Sequence, residues 1–138
     1  MRIAAFTSVL ALALTGIALA AAPKKGATYT GKTSHESDPI TLKVSHSGKT
    51  VTVAETFAPL YCEGGGAGER QISKPAAISR SGAFSTVISY EFAPEHKITS
   101  KLYVKGTFNG KKVKGTARSE FLLAHQCDGS TSFSATTK

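Results

Sequence analysis

The sequence predicts an all-β protein, an antiparallel barrel or sandwich of about eight short strands. Three observations lead there. Apolar and polar residues alternate with period two along most of the chain, as in Ile40-Thr41-Leu42-Lys43-Val44. No long stretch repeats apolar residues at helical spacing. The alternating runs are bounded by Gly, Ser, Pro and Asn, residues that turn a chain.

The first segment stands apart. Residues 1–22 read as a cleaved signal peptide. Arg2 supplies the positive start, Ile3 to Leu19 carries no charge, and Ala18-Leu19-Ala20 is a small-x-small cleavage site. The apolar run is at the lower limit for a spanning helix, so no membrane span is expected after its removal. A single secreted or periplasmic domain, 23–138, follows. Export favours pairing of the only two cysteines, Cys62 and Cys127. Closing so long a loop would contribute about 4 kcal/mol in the chain-entropy model. Neither cysteine has C-x-x-C or His-ligand spacing, so no metal and no cofactor is expected.

The strands follow in order. Tyr29 to Thr33 forms the first, and His35 to Pro39 a turn. Ile40, Leu42 and Val44 alternate in the second. Ser45 to Lys49 is a hairpin loop, and Val51 and Val53 mark the returning strand, which runs to about Phe57. Glu63 to Arg70 is a Gly-rich loop. Gln71 to Ser79 reads as a short strand in which Pro75 marks an edge or a break. After the Arg80-Ser81-Gly82 turn, Phe84, Ile88, Tyr90 and Phe92 share one phase. Ala93 to His96 turns the chain again. Ile98, Leu102, Val104 and Phe108 share the next phase, and Val113, Ala117, Phe121 and Leu123 the one after. Asn109-Gly110 between them is the favoured pair for a two-residue type I′ hairpin turn. Cys127-Asp128-Gly129 leads into a last strand around Phe133.

The order of these pieces resembles small secreted bacterial all-β domains with two cysteines and no assigned activity. The pieces that carry the resemblance are Tyr29-Thr30-Gly31, the mid-chain Cys62, Ser81 to Phe84, the hairpin from Val104 to Gly115, and Cys127 to Gly129. The resemblance implies the fold and the disulfide, and it assigns no functional residue.

Motifs with chemistry are few. Gly26 to Thr33 matches G-x-x-x-x-G-K-[ST] letter for letter, but it lacks the following helix that a phosphate loop needs. His35, Ser37 and Asp38 are triad residue types, yet near neighbours in one turn do not converge as a relay. Gly66-Ala67-Gly68 lacks the third glycine of a dinucleotide fingerprint. No segment suggests the paired carboxylates of a glycosidase. The four histidines, His35, His46, His96 and His125, lie in or beside predicted turns without zinc spacing. An enzyme is therefore the least supported class.

Charge is the specific signal. The chain holds 17 Lys and Arg against 9 Asp and Glu. Arg2 leaves with the signal peptide. Seven of the remaining bases fall between Lys97 and Arg118 with no acid among them, and outside that window bases and acids balance. With Asn109-Gly110 as turn residues, Phe108 would lie opposite Lys111, Lys105 opposite Lys114, Lys101 opposite Arg118 and Tyr103 opposite Thr116. One side of the hairpin is then apolar. The other carries Lys101, Lys105, Lys112, Lys114 and Arg118 around Tyr103. Like charges directly opposite one another are destabilising by up to about 1 kcal/mol per pair.

Such a face is suited to an anionic polymer or surface of the cell envelope, held by salt-sensitive attraction. Nucleic acid is not favoured, because Tyr103 alone is too little aromatic surface for base stacking. The bland reading of the same lysines is edge protection and solubility. Two other functions remain open: a small-ligand carrier of the barrel type, and an inhibitor of a secreted hydrolase of opposite charge.

Overall fold

The computed structural model describes residues 20–35, 37–56, 69–72, 74–92, 95, 97–123 and 127–138. Among the described residues, nine strands form one antiparallel sheet: β1 (Thr28–Thr33), β2 (Pro39–Val44), β3 (Thr50–Glu55), β4 (Glu69–Ile72), β5 (Ala76–Ala77), β6 (Ala83–Phe92), β7 (Lys97–Asn109), β8 (Lys112–Phe121) and β9 (Gly129–Thr136). Their spatial order is β4-β6-β7-β8-β9-β1-β2-β3-β5. The sheet curls until β5 lies against β6, so it is a nearly closed barrel rather than a sandwich. The described residues contain no α-helix.

Alternation decides the two faces of the wall. β9 is the cleanest case: Thr131, Phe133 and Ala135 are buried, and Ser130, Ser132, Ser134 and Thr136 are exposed. The core takes Ile40, Leu42, Val51, Val53, Ile88, Leu102, Val104, Val113 and Ala117 from the same phase of their strands. At one end of the barrel the rings of Tyr29, Phe108 and Phe84 pack together. Tyr29 meets Phe108 edge to face, with centroids 5.0 Å apart, and Phe84 lies 5.4 Å from Phe108. Such contacts add to the burial of large apolar surface.

Two strands carry one extra residue. Leu42 pairs with Val53 but Thr41 with Glu55, so Ala54 is the added residue of β3. Tyr90 pairs with Ser100 but Glu91 with Ile98, so Thr99 is added in β7. Bulges bend a strand and raise its twist, which helps the sheet to close. The second also corrects an expected core position. Past Thr99 the phase inverts: Thr99 is buried and Ile98 is 39% exposed. Leu123, also expected inside, is 65% exposed because β8 ends at Phe121 and the chain turns there.

The segment expected as one strand over Gln71 to Ser79 is split. Its first part joins β4, which starts at Glu69 inside the expected Gly-rich loop, and pairs with β6. Its last part is the two-residue β5, which pairs with β3 at the opposite edge of the sheet. Pro75 sits between them, where a missing N–H costs no ladder bond. The remainder of that loop, residues 63–68, lies outside the described residues. So do residues 1–19 of the expected signal peptide and Cys62 of the expected disulfide. Cys127 itself is 2% exposed.

The run that matches a phosphate-loop motif is the first strand and the turn before it. A Cβ at Gly31 would collide with the backbone of Ser134 and Ala135 on β9, so the glycine is needed for strand packing.

Candidate functional site

The hairpin of β7 and β8 positions the expected site. Its turn is Gly110-Lys111, not Asn109-Gly110, because Asn109 pairs with Lys112 and Phe108 with Val113. Within the turn only Gly110 has positive φ, 58°. That is the requirement of a type II′ turn, which places glycine at the first central residue, whereas type I′ needs positive φ at both. The register is therefore displaced by two residues from the expected one. A displacement of two preserves which side chains face out but changes every partner.

The corrected partners remove the expected repulsion. Lys105 lies opposite Thr116, Lys114 opposite Thr107, Arg118 opposite Tyr103 and Lys101 opposite Glu120. No two cations of the hairpin face each other directly. Lys105, Lys112, Lys114 and Arg118 are exposed, and Lys101 and Tyr103 are half-buried.

Tyr103 is held from two sides. The Arg118 guanidinium lies 4.5 Å from its ring centroid. Its hydroxyl donates to Glu120 Oε2 at 2.7 Å. The hydrogen bond to the Glu120 carboxylate raises the phenol pKa above its ordinary value of 10.0, with burial and the Glu120 charge acting in the same direction. Stacking limits the freedom of Arg118 and leaves the edge of its guanidinium, with its N–H donors, for an anion. Glu120 also bounds the basic face, since the acid-free stretch of sequence ends just before it.

Cross-strand registers extend the face beyond the hairpin. One row runs Val87, Tyr103, Arg118, Ser130. The next runs Ser85, Lys105, Thr116, Ser132. The third runs Thr107, Lys114, Ser134, Lys32. None of these three rows contains an acidic residue. Shallow depressions overlie them. One of about 570 Å³ spans β5 to β8 over Gly106 and Gly115, with Lys105 and Lys114 on its walls. A second, about 390 Å³, lies between Tyr103, Lys105, Thr116, Arg118 and Ser130. A third, about 430 Å³, joins Lys114 to Lys32 across β9.

Two inward-facing glycines let the core rings approach the wall beneath the central depression. Gly106 and Gly115 face each other across β7 and β8. A Cβ on Gly115 would meet the Lys105 carbonyl and the ring of Phe133, and one on Gly106 would lie 2.8 Å from the ring of Phe84. The floor is thus bare backbone over aromatic rings.

Of the six expected residues, Tyr103, Lys105, Lys114 and Arg118 line these depressions. Lys112 lies further toward the hairpin end, opposite Asn109 and Thr136. Lys101 sits at the other margin, opposite Glu120. Lys32 and the hydroxyls of β9 were not expected. The period-two serines at Ser130, Ser132 and Ser134 were a legible sign of an outward hydroxyl ladder, but only the strand order sets Lys32 beside them.

No family model matches the chain, and neither curated proteins nor solved structures give a match.

Proposed function

We propose that the chain is an exported, non-enzymatic binding domain that holds an anionic polymer or surface on the outer wall of the β7–β8 hairpin. The observation that carries this reading is the arrangement of Lys105, Lys114 and Arg118 around one set of depressions, in rows without a carboxylate. Aligned cations of one sign attract a polyanion far more than scattered ones, and salt weakens that attraction. The packing of Tyr29, Phe84 and Phe108 inside the barrel supports a surface site over an internal carrier cavity at that end.

Export and the disulfide belong to the same reading. Cleavage after Ala20 would create an amino terminus at Ala21, whose nitrogen lies 3.2 Å from Asn109 Oδ1. A bond from Cys62 to the buried Cys127 suits an oxidising compartment, and no free cysteine occurs among the described residues. Mass spectrometry of the exported protein should find a first residue between Ala21 and Pro23 and no free thiol.

Elution from a heparin column by a salt gradient tests the binding reading. The Lys105→Glu/Lys114→Glu variant should elute well before the wild type. Lys43→Glu/Lys49→Glu makes the same change in net charge at exposed sites outside the rows and should elute later than the hairpin variant. Coelution of the two variants would show that net charge alone governs retention, and the proposed face would be wrong.

A further inference from the structure

We propose that the binding face is a belt crossing the strands from β6 to Lys32 on β1, and that its ligand is an extended acidic polysaccharide bearing carboxylates at intervals along a hydroxyl-rich chain. The proposal rests on the anion-binding reading above and adds an extent and a ligand class.

The extent comes from the register. Lys114 and Lys32 both pair with Ser134, one from each side of β9. They stand two strand spacings apart, about 10 Å. The depression between them adjoins the one over Gly115, since Lys114 and Gly115 line both. Lys32 is exposed and lies 65 or more positions from the hairpin in the chain, yet it completes the same row.

The ligand class comes from spacing and from what lies between the cations. Charges on the belt are staggered: Arg118 in one row, Lys105 in the next, Lys114 and Lys32 in the third. Beside them stand Ser85, Thr116, Ser130 and Ser134, whose hydroxyls make no hydrogen bond with the protein among the described residues. A hydroxyl both donates and accepts. A glycan presents both functions along its length, whereas a polyphosphate offers acceptors only. Nucleic acid carries a charge about every 3.4 Å per strand, far denser than this belt. Arg118 covers one face of Tyr103, and the three rows hold no second aromatic ring on which successive bases could stack.

Binding of hyaluronate, which carries one carboxylate per disaccharide, and of inorganic polyphosphate at equal ionic strength, measured by calorimetry on the purified protein, tests this. The wild type should prefer hyaluronate, and Lys32→Glu should weaken that binding roughly fivefold. Lys105→Glu/Lys114→Glu should weaken it further. Unchanged binding by Lys32→Glu, with loss in the double variant, would overturn the belt and leave the hairpin reading standing. Preference for polyphosphate would overturn the glycan class. No effect of either substitution, or no binding by the wild type, would overturn both readings.

Discussion

The hydroxyl of Tyr29, in the first strand, donates to the carbonyl of Gly110 in the β7–β8 turn at 2.6 Å. The same oxygen accepts the backbone N–H of Lys24 at 2.8 Å. Beside it the Gly110 N–H donates to the Ala21 carbonyl at 2.8 Å, and the Lys24 ammonium reaches the Lys138 carbonyl at 2.9 Å. One buried phenol thus ties the start of the domain to the tip of the β7–β8 hairpin.

Removing that hydroxyl should destabilise the protein without disturbing its packing. Tyr29→Phe keeps the ring, which is fully buried, and strips partners from the Gly110 carbonyl and the Lys24 amide. The expected loss is about 1–3 kcal/mol. Urea unfolding should show a lower midpoint and an unchanged slope.

The turn makes an asymmetric prediction. Gly110→Ala forces a side chain into the left-handed region and should cost about 1–2 kcal/mol. Asn109→Ala removes only an exposed hydrogen bond to Ala21 and should stay within about 0.5 kcal/mol. Equal sensitivity at both positions in thermal unfolding would return the turn to Asn109-Gly110 and displace the register.

Close strand packing predicts a large effect from a small change. Gly115→Ala sets a methyl group against the Lys105 carbonyl and the Phe133 ring, and neither can move freely within the sheet. Overpacking of this kind costs about 1–3 kcal/mol, and backbone contact puts the expected value at the upper end. Ser134→Ala, on the exposed side of β9, should leave the unfolding midpoint unchanged.

Tyr103 predicts a pH dependence. Its folded pKa is raised, mainly by the hydrogen bond to Glu120, so the bond stabilises fully below the ordinary tyrosine value of 10.0. The contribution is lost as pH rises through the raised value, where the phenolate would face a carboxylate. The stability difference between the wild type and Tyr103→Phe should therefore shrink or reverse in strongly alkaline solution. Ultraviolet titration should also find Tyr103 ionising late, and Glu120→Gln, which removes the negative charge but leaves the burial, should reduce that delay.

Much of this was legible in the chain. Period two in Ile40 to Val44, in Leu102 to Val104 and in β9 marks which side chains face the core, because a strand alternates its faces whatever its partner is. For that reason an error of two residues in the hairpin register left Lys105, Lys114, Arg118 and Tyr103 on the correct side. Ile98 and Leu123 were misplaced where alternation stops being a guide, at a bulge and past a strand end. Pro75 signalled a break, but not that the halves on either side would join opposite edges of the sheet.

The sequence by itself determined the all-β class, the inward and outward faces, and the concentration of positive charge in one hairpin. These follow from local alternation and from composition. Tertiary structure alone decided that the sheet closes into a barrel, that Lys105 meets Thr116 rather than another lysine, and that β9 lies between β8 and β1. Pairing depends on turn geometry and on contacts between strands distant in the chain, and it is this closure that carries Lys32 to the edge of the basic face.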